Sequence, residues 1–251
     1  MQVSIISVVL NDVTGLSKTL QSVTSQTFPD WELLIQDGGS IDGTKEYALS
    51  AAAENEKIKV VSEVDGGIYP AMNKALRRAS GEWVLFLNAG DSFVHENALK
   101  DMVDTVMSGS SIVYFASWFG FANGHRILRS VKAPEYIWHG QPAAHQATLF
   151  NRELHLKHLF PEDLRVSGDY DVLCSMVSAN AVAMSSSIEA PILFEVSFDA
   201  ASFRGQALSR HEMWVSQKRH LGLSLGKRVV SFVRRWFAQS LMRLIAFVNF
   251  R

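Results

Sequence analysis

Apolar residues in this chain arrive in short blocks, each closed by a small or acidic cluster. Val3 to Leu10 is β-branched and almost wholly apolar, the signature of a strand. Leu16, Leu20 and Val23 then recur at helical spacing until Gln26, Phe28 and Pro29 end the pattern. Trp31 to Gln36 reads as a second strand ending at Asp37-Gly38-Gly39-Ser40, and Asp42 can cap a helix running through Tyr47 toward Glu54. Ile58 to Ser62 is a third strand, followed by Asp65-Gly66-Gly67 and a helix carrying Ile68, Met72, Leu76 and Ala79 on one face. Gly81 stops that helix, and Trp83 to Leu87 forms a fourth strand opening onto Asn88-Ala89-Gly90-Asp91. Four βα repeats in about 90 residues predict a parallel sheet with right-handed crossovers.

Downstream the rhythm weakens. Ala98 to Met107 predicts a helix and Ile112 to Phe115 a strand, whereas Ser117 to Pro142 is irregular and aromatic. Leu164 to Ser178 reads as a helix entered through Ser167-Gly168-Asp169, and Ile188 to Phe198 has strand character. From Gln206 the chain turns helical and basic. On a helical wheel of residues 226 to 250, Val229, Val230, Val233, Trp236, Phe237, Leu241, Leu244 and Val248 share one arc, with Lys227, Arg228, Arg234 and Arg235 opposite.

Composition adds two constraints. The formal net charge of -1 conceals a division: residues 201 to 251 hold ten Lys or Arg against one acid, Glu212, so the preceding body is strongly acidic. The single cysteine, Cys174, excludes an intramolecular disulfide and fits a reducing cytoplasm. No signal peptide is evident, and no uncharged apolar stretch is long enough to span a bilayer. An acidic body without a basic aromatic sheet or a recognition helix argues against nucleic acid as a partner.

Three acidic loops, at Asp37, Asp65 and Asp91, each follow a predicted strand, and in an open α/β sheet they converge on the ligand-binding edge. A nucleotide diphosphate needs acceptors for base or ribose, a backbone it can approach closely, and a cation to offset its charge. Aspartates and glycines supply these requirements. The ordered words SIISVVLN, LLIQDGGSIDGT, DGGIYPAMNKA, GEWVLFLNAGD and SGDYD, spread over residues 3 to about 175, resemble the GT-A-fold glycosyltransferases of family 2. The likeness is greatest to bacterial members that build exopolysaccharide and lipopolysaccharide sugars.

The resemblance implies an α/β GT-A domain, a mostly parallel central sheet flanked by helices, over residues 1–203. Within it, 1–115 would bind the nucleotide and 116–203 the acceptor, with a basic amphipathic helical tail at 204–251. Asp37 is implied to hold the base, flanked by Val9 and Asn11 at the end of the first strand. Asp65, Gly66 and Asn73 are implied donor contacts. Asp91 matches the strictest metal ligand for Mg²⁺ or Mn²⁺, although the loop reads Asn88-Ala89-Gly90-Asp91 where the family usually carries two or three aspartates. Asp169 resembles the catalytic aspartate, and at a helix start it is expected to stay ionised. Asp171, two residues on, faces elsewhere. His145, in WHGQPAAHQATLF, is a further expected acceptor or phosphate contact, beside His139.

The expected activity is inverting transfer of one sugar from a UDP- or GDP-type nucleotide sugar to a hydroxyl of a lipid-linked saccharide acceptor, in surface polysaccharide synthesis. The other reading is a non-catalytic sugar-nucleotide-binding or partner-docking protein of the same fold. The tail's apolar arc either packs on the body or lies on the inner face of the cell membrane, making the protein cytoplasmic and peripheral.

Overall fold

The computed structural model describes residues 1–121, 123–195 and 205–249, with the side chains of 195 and 242–249 outside that description. Its N-terminal half follows the apolar blocks: β1 (Val3–Val9), α1 (Val13–Thr24), β2 (Trp31–Asp37), α2 (Thr44–Glu54), β3 (Ile58–Ser62), α3 (Ile68–Arg78) and β4 (Trp83–Phe86). These strands run parallel in the order β4-β1-β2-β3. The register pairs Val9 with Asp37 and Asp37 with Ser62, so three strand ends open on one edge.

Every residue of β1, β2 and β4 is buried because helices cover both faces. Alternation along each strand sorts the side chains. Val3, Ile5, Leu33, Ile35 and Leu85 meet Leu16, Leu20 and Val23 of α1, whereas Ile6, Leu34, Val84 and Phe86 meet Met72, Ala75 and Leu76 of α3. Each fully buried aliphatic or aromatic side chain contributes roughly 1.5–3 kcal/mol, which makes these layers the framework of the site.

The remaining elements are β5 (Ser92–Phe93), α4 (Ala98–Asp104), β6 (Ile112–Tyr114), β7 (Ser117–Gly120), β8 (Arg126–Arg129), a 3₁₀ turn at Pro134–Trp138, β9 (Thr148–Asn151), α5 (Arg152–Lys157), α6 (Gly168–Ser178), β10 (Ala183–Ser185), β11 (Ile192–Glu195), α7 (Gln206–Arg219) and α8 (Leu225–Asn249). β9 runs antiparallel between β4 and β6, completing a seven-stranded sheet, β10-β6-β9-β4-β1-β2-β3. A second sheet has the order β5-β11-β7-β8.

The stretch expected to be irregular, Ser117 to Pro142, therefore contains a hairpin, with Trp118 opposite Leu128. Its β8 strand alternates exposed and half-buried residues, so no continuous apolar run betrays it. The strand expected over Ile188 to Phe198 is described at Ile192–Glu195, and its last three positions lie outside the described residues, as does the 203/204 boundary.

Of the two readings of the tail, packing of its apolar arc on the body does not hold. α8 sits on the body through its polar side: Ser231 is fully buried and Arg228 and Arg235 are nearly so, while Val230, Trp236, Phe237 and Leu241 are exposed. Hydrogen bonds explain the inversion. Ser231 and Arg235 each reach the His139 carbonyl at 3.2 Å, and the Arg228 guanidinium lies 4.0 Å over the Trp214 ring. Leu244 and Val248 of the arc are outside the described side chains. Among the described residues, no helix is long and apolar enough to cross a membrane.

Candidate active site

At the strand-end edge lies a cleft of about 260 Å³, lined by Val9, Gly38, Asp65, Gly67 and Ile68 among others. Gly67, at φ 140°, turns the chain into α3, whose N-terminus carries no side-chain cap. Its first turn presents the Ile68 and Tyr69 N–H groups, Pro70 having none, with no side chain capping them. Two loops frame the cleft. Asn11 takes a left-handed φ of 51°, donates its N–H to Ser40 Oγ at 2.7 Å and accepts the Ile41 N–H on Oδ1 at 2.9 Å.

Asp37 is fully buried beneath this edge. Its carboxylate accepts from the Ser40 hydroxyl and N–H and, at 2.6 Å, from Ser62 Oγ, locking the ends of β2 and β3 together. Asp65 lines the cleft itself and receives Lys74 Nζ at 2.6 Å and Gln36 Nε2 at 3.3 Å. Gly66 is exposed beside it.

Asp169 enters from the other half of the chain. The start of α6 abuts α3: a Cβ added to Gly168 would sit 2.8 Å from the Tyr69 ring. Ahead of α6, buried Glu212 of α7 accepts the N–H groups of Arg165, Val166 and Ser167 at 2.9, 3.0 and 2.7 Å. Half-buried Asp169 takes the Tyr170 N–H on Oδ1 at 2.8 Å and Gln141 Nε2 on Oδ2 at 2.6 Å. Burial lifts its carboxyl above the ordinary range, against the opposing pull of Gln141, the Tyr170 N–H and the Arg129 charge. The shift runs opposite to that expected from the helix start alone, and it suits a group that must accept a proton. Asp171 turns away, its Oδ2 3.0 Å from His220 Nε2.

Residues 4–161 match the model of the family described as "Glycosyl transferase family 2". The chain belongs to that family. Among relatives of this family 2 glycosyltransferase, TuaG of Bacillus subtilis, named for teichuronic acid biosynthesis, is 33% identical over 137 residues, covering 54% of this chain and 54% of TuaG. The chain spans about half or less of the length of the first curated relatives it matches. S. aureus TarS 1-349 in complex with UDP-GlcNAc superposes with a TM-score of 0.71 at 21% identity, covering 95% of this chain and 73% of the other. A mannosyltransferase of Pyrobaculum calidifontis, in complex with GDP-Man and Mn²⁺, gives 0.67 at 16% identity, with 96% and 75% covered. At such identities the two structures establish the shared fold, the expected mostly parallel GT-A sheet flanked by helices.

In this member of the family the loop after β4 is pinned from α1. The Thr19 hydroxyl lies 3.1 Å from the Asn88 carbonyl and 2.7 Å from the Asp91 carbonyl, and it accepts the Gly90 N–H at 3.1 Å. Asp91 is buried, and Asn88 Oδ1 is a buried oxygen with no hydrogen-bond partner among the described residues. A carboxylate and an unpartnered amide oxygen in one loop are hard donors that fit Mg²⁺ or Mn²⁺. Among the described residues, no group of three or more His, Cys, Asp or Glu could hold a metal. Such an ion would therefore draw most of its shell from diphosphate oxygens and water.

Three expected contacts do not line the cleft: Asp37, sealed beneath its edge, and Asn73 and His145. Asn73 is buried and braces the chain at Phe160, donating to its carbonyl and accepting its N–H, both at 2.9 Å. His145 lies in the core against Phe86, at 4.8 Å between ring centroids, and against Phe150 and Phe160, both at 5.5 Å. Burial pushes its pKa down to about 3. Sequence reasoning missed Thr19, Gln141, Arg129 and Glu212. Thr19 left a signal, a hydroxyl within the apolar stripe of α1, and so did Glu212, the lone acid of a basic segment.

Proposed function

We propose that the protein transfers one sugar, with inversion, from a nucleotide-diphosphate sugar to a hydroxyl of a lipid-linked saccharide during surface polysaccharide synthesis. What supports this reading is the packing of α6 on α3, where Gly168, next to Asp169, lies against the Tyr69 ring, one residue on from the cleft residues Gly67 and Ile68. In the reaction, the acceptor O–H proton passes to Asp169 as the acceptor oxygen bonds to the anomeric carbon and the bond to the diphosphate breaks on the opposite face. The nucleoside diphosphate leaves with that electron pair. Asp65 and the open N-terminus of α3 orient the donor. Solved neighbours holding UDP-GlcNAc and GDP-Man support a UDP- or GDP-type donor.

Asp91, with Asn88 beside it, would hold Mg²⁺ or Mn²⁺, and the bound ion would supply charge neutralisation for the departing diphosphate. The protein is cytoplasmic and peripheral in this reading, with the outward apolar arc of α8 in the membrane interface and Lys227 and Arg234 at headgroup depth. The exposure of Trp236 and Phe237, at 47% and 62%, supports that placement.

The deciding experiment measures donor hydrolysis and sugar transfer with Mn²⁺ over a panel of UDP- and GDP-sugars, for wild type and Asp169→Asn. Turnover lost in the variant with donor binding kept is the expected result. Nucleotide binding by wild type without any turnover would instead make this a non-catalytic sugar-nucleotide-binding protein. Co-sedimentation with anionic vesicles, compared between wild type and the double variant Trp236→Glu, Phe237→Glu, tests the membrane placement; wild type that never sediments overturns it.

A further inference from the structure

The wall beside Asp169 is the segment from Trp138 to Ala143, and its carbonyls are held in succession by three other elements. Gln217 of α7 donates to Trp138 O at 2.8 Å, and Ser231 and Arg235 of α8 donate to His139 O. Arg129 of β8 donates to Gln141 O at 3.3 Å and Ala143 O at 3.1 Å. A segment with little regular structure is thereby fixed from three sides. The side chain it delivers is Gln141, half-buried, with its amide 2.6 Å from Asp169 Oδ2.

The hydrogen-bond arithmetic at Asp169 is specific. A carboxylate has about four lone-pair sites, and here one oxygen takes the Tyr170 N–H and the other takes Gln141. Each oxygen keeps a lone pair for a proton, while rotation about the carboxyl bond is blocked. A lysine at position 141 would form an ion pair that resists protonation of Asp169, and an acid would repel it. A neutral amide orients the carboxylate without either effect.

We propose that Gln141 is a positioning residue of the transfer reaction, fixing the Asp169 carboxylate in the plane from which it receives the acceptor proton. This rests on the reading of Asp169 as the base. The α7–α8 pair, through Gln217, Ser231 and Arg235, is the support that keeps Gln141 in place, so the tail belongs to the catalytic architecture. The charged and titratable groups about Asp169 are Arg129 from β8 and Tyr69 from α3, with Glu212 of α7 behind Tyr69. None of them contributes to the signal of the Asp169 carboxyl carbon, so a titration followed at that carbon reads Asp169 itself.

The test needs no substrate. The Asp169 carboxyl carbon is followed by ¹³C NMR against pH, its signal assigned by loss in Asp169→Asn. Gln141→Met, of similar length without a donor, is expected to move the midpoint up by about one to two pH units, the worth of one hydrogen bond to a charged group. Gln141→Glu, placing a second carboxyl there, moves it at least as far. In the donor assay, Gln141→Met lowers kcat about tenfold or more with donor KM unchanged, since misplacement near the chemistry costs rate before binding. A midpoint within a few tenths of a unit of wild type in both variants overturns the proposal. Wild-type turnover in Asp169→Asn would sink the base assignment by a separate measurement.

Discussion

His145 gives the most direct check on how this fold uses its histidines. Both ring nitrogens are buried without a partner among the described residues, and those of His155 are in the same state, packed on the same Phe86, Phe150 and Phe160. Burial pushes each pKa down to about 3. An unfolded histidine titrates near 6.5. In the folded protein both rings stay neutral where the unfolded chain takes up protons, so stability is full above about pH 6.5 and is lost as pH falls toward 3. At pH 5 the loss is about 2 kcal/mol for each ring, or about 4 kcal/mol for the pair, from 1.36 kcal/mol per pKa unit.

Replacing His145 by Phe keeps an aromatic ring in the Phe86 cluster and removes one titration, at a pH-independent packing cost of about 1–3 kcal/mol. Urea unfolding followed by tryptophan fluorescence at pH 7.5 and pH 5 should show the variant losing about 2 kcal/mol less than wild type between the two pH values. Carboxylates titrating in the same range act on both proteins and cancel in the difference. Equal losses would refute the reasoning. Donor binding should survive the substitution; a variant that folds normally but no longer binds nucleotide would put His145 at the donor after all.

Asp91→Asn should weaken Mn²⁺ binding in the presence of nucleoside diphosphate by roughly tenfold or more, read by calorimetry, because the loop retains only neutral oxygens. Gly81→Ala would place a Cβ 2.7 Å from Ser4 N and 2.9 Å from Gln2 O, both backbone atoms; a loss of about 3 kcal/mol in urea unfolding is expected. Glu212→Gln keeps the shape but loses the charge that receives three N–H groups ahead of α6. It should cost about 2 kcal/mol in the same assay and lower kcat through the displaced Asp169.

The β1-to-β4 framework was legible because each strand is buried on both faces and so must be a nearly unbroken apolar run. The loops at Asp37, Asp65 and Asp91 followed from it, since parallel strands put their carboxyl ends on one edge. Short elements were not legible. β9, only Thr148–Asn151, pairs with β4 and β6, and a run of four residues is too short for periodicity to tell strand from helix.

Within the site, residue types were readable but their neighbours were not. The sequence by itself marked Asp169 as acidic and placed at a helix start. Only tertiary structure decided that burial raises its pKa and that Gln141, 28 positions earlier, holds its second oxygen. Likewise a helical wheel gathered the apolar residues of α8 on one side and set Arg228 and Arg235 on the other, although Lys227 and Arg234, grouped with them, are exposed. Which side packs on the protein depended on the His139 carbonyl, which serine and arginine can satisfy and valine cannot. Periodicity reports which residues share a face, whereas the partner of that face is set by groups far away in the chain.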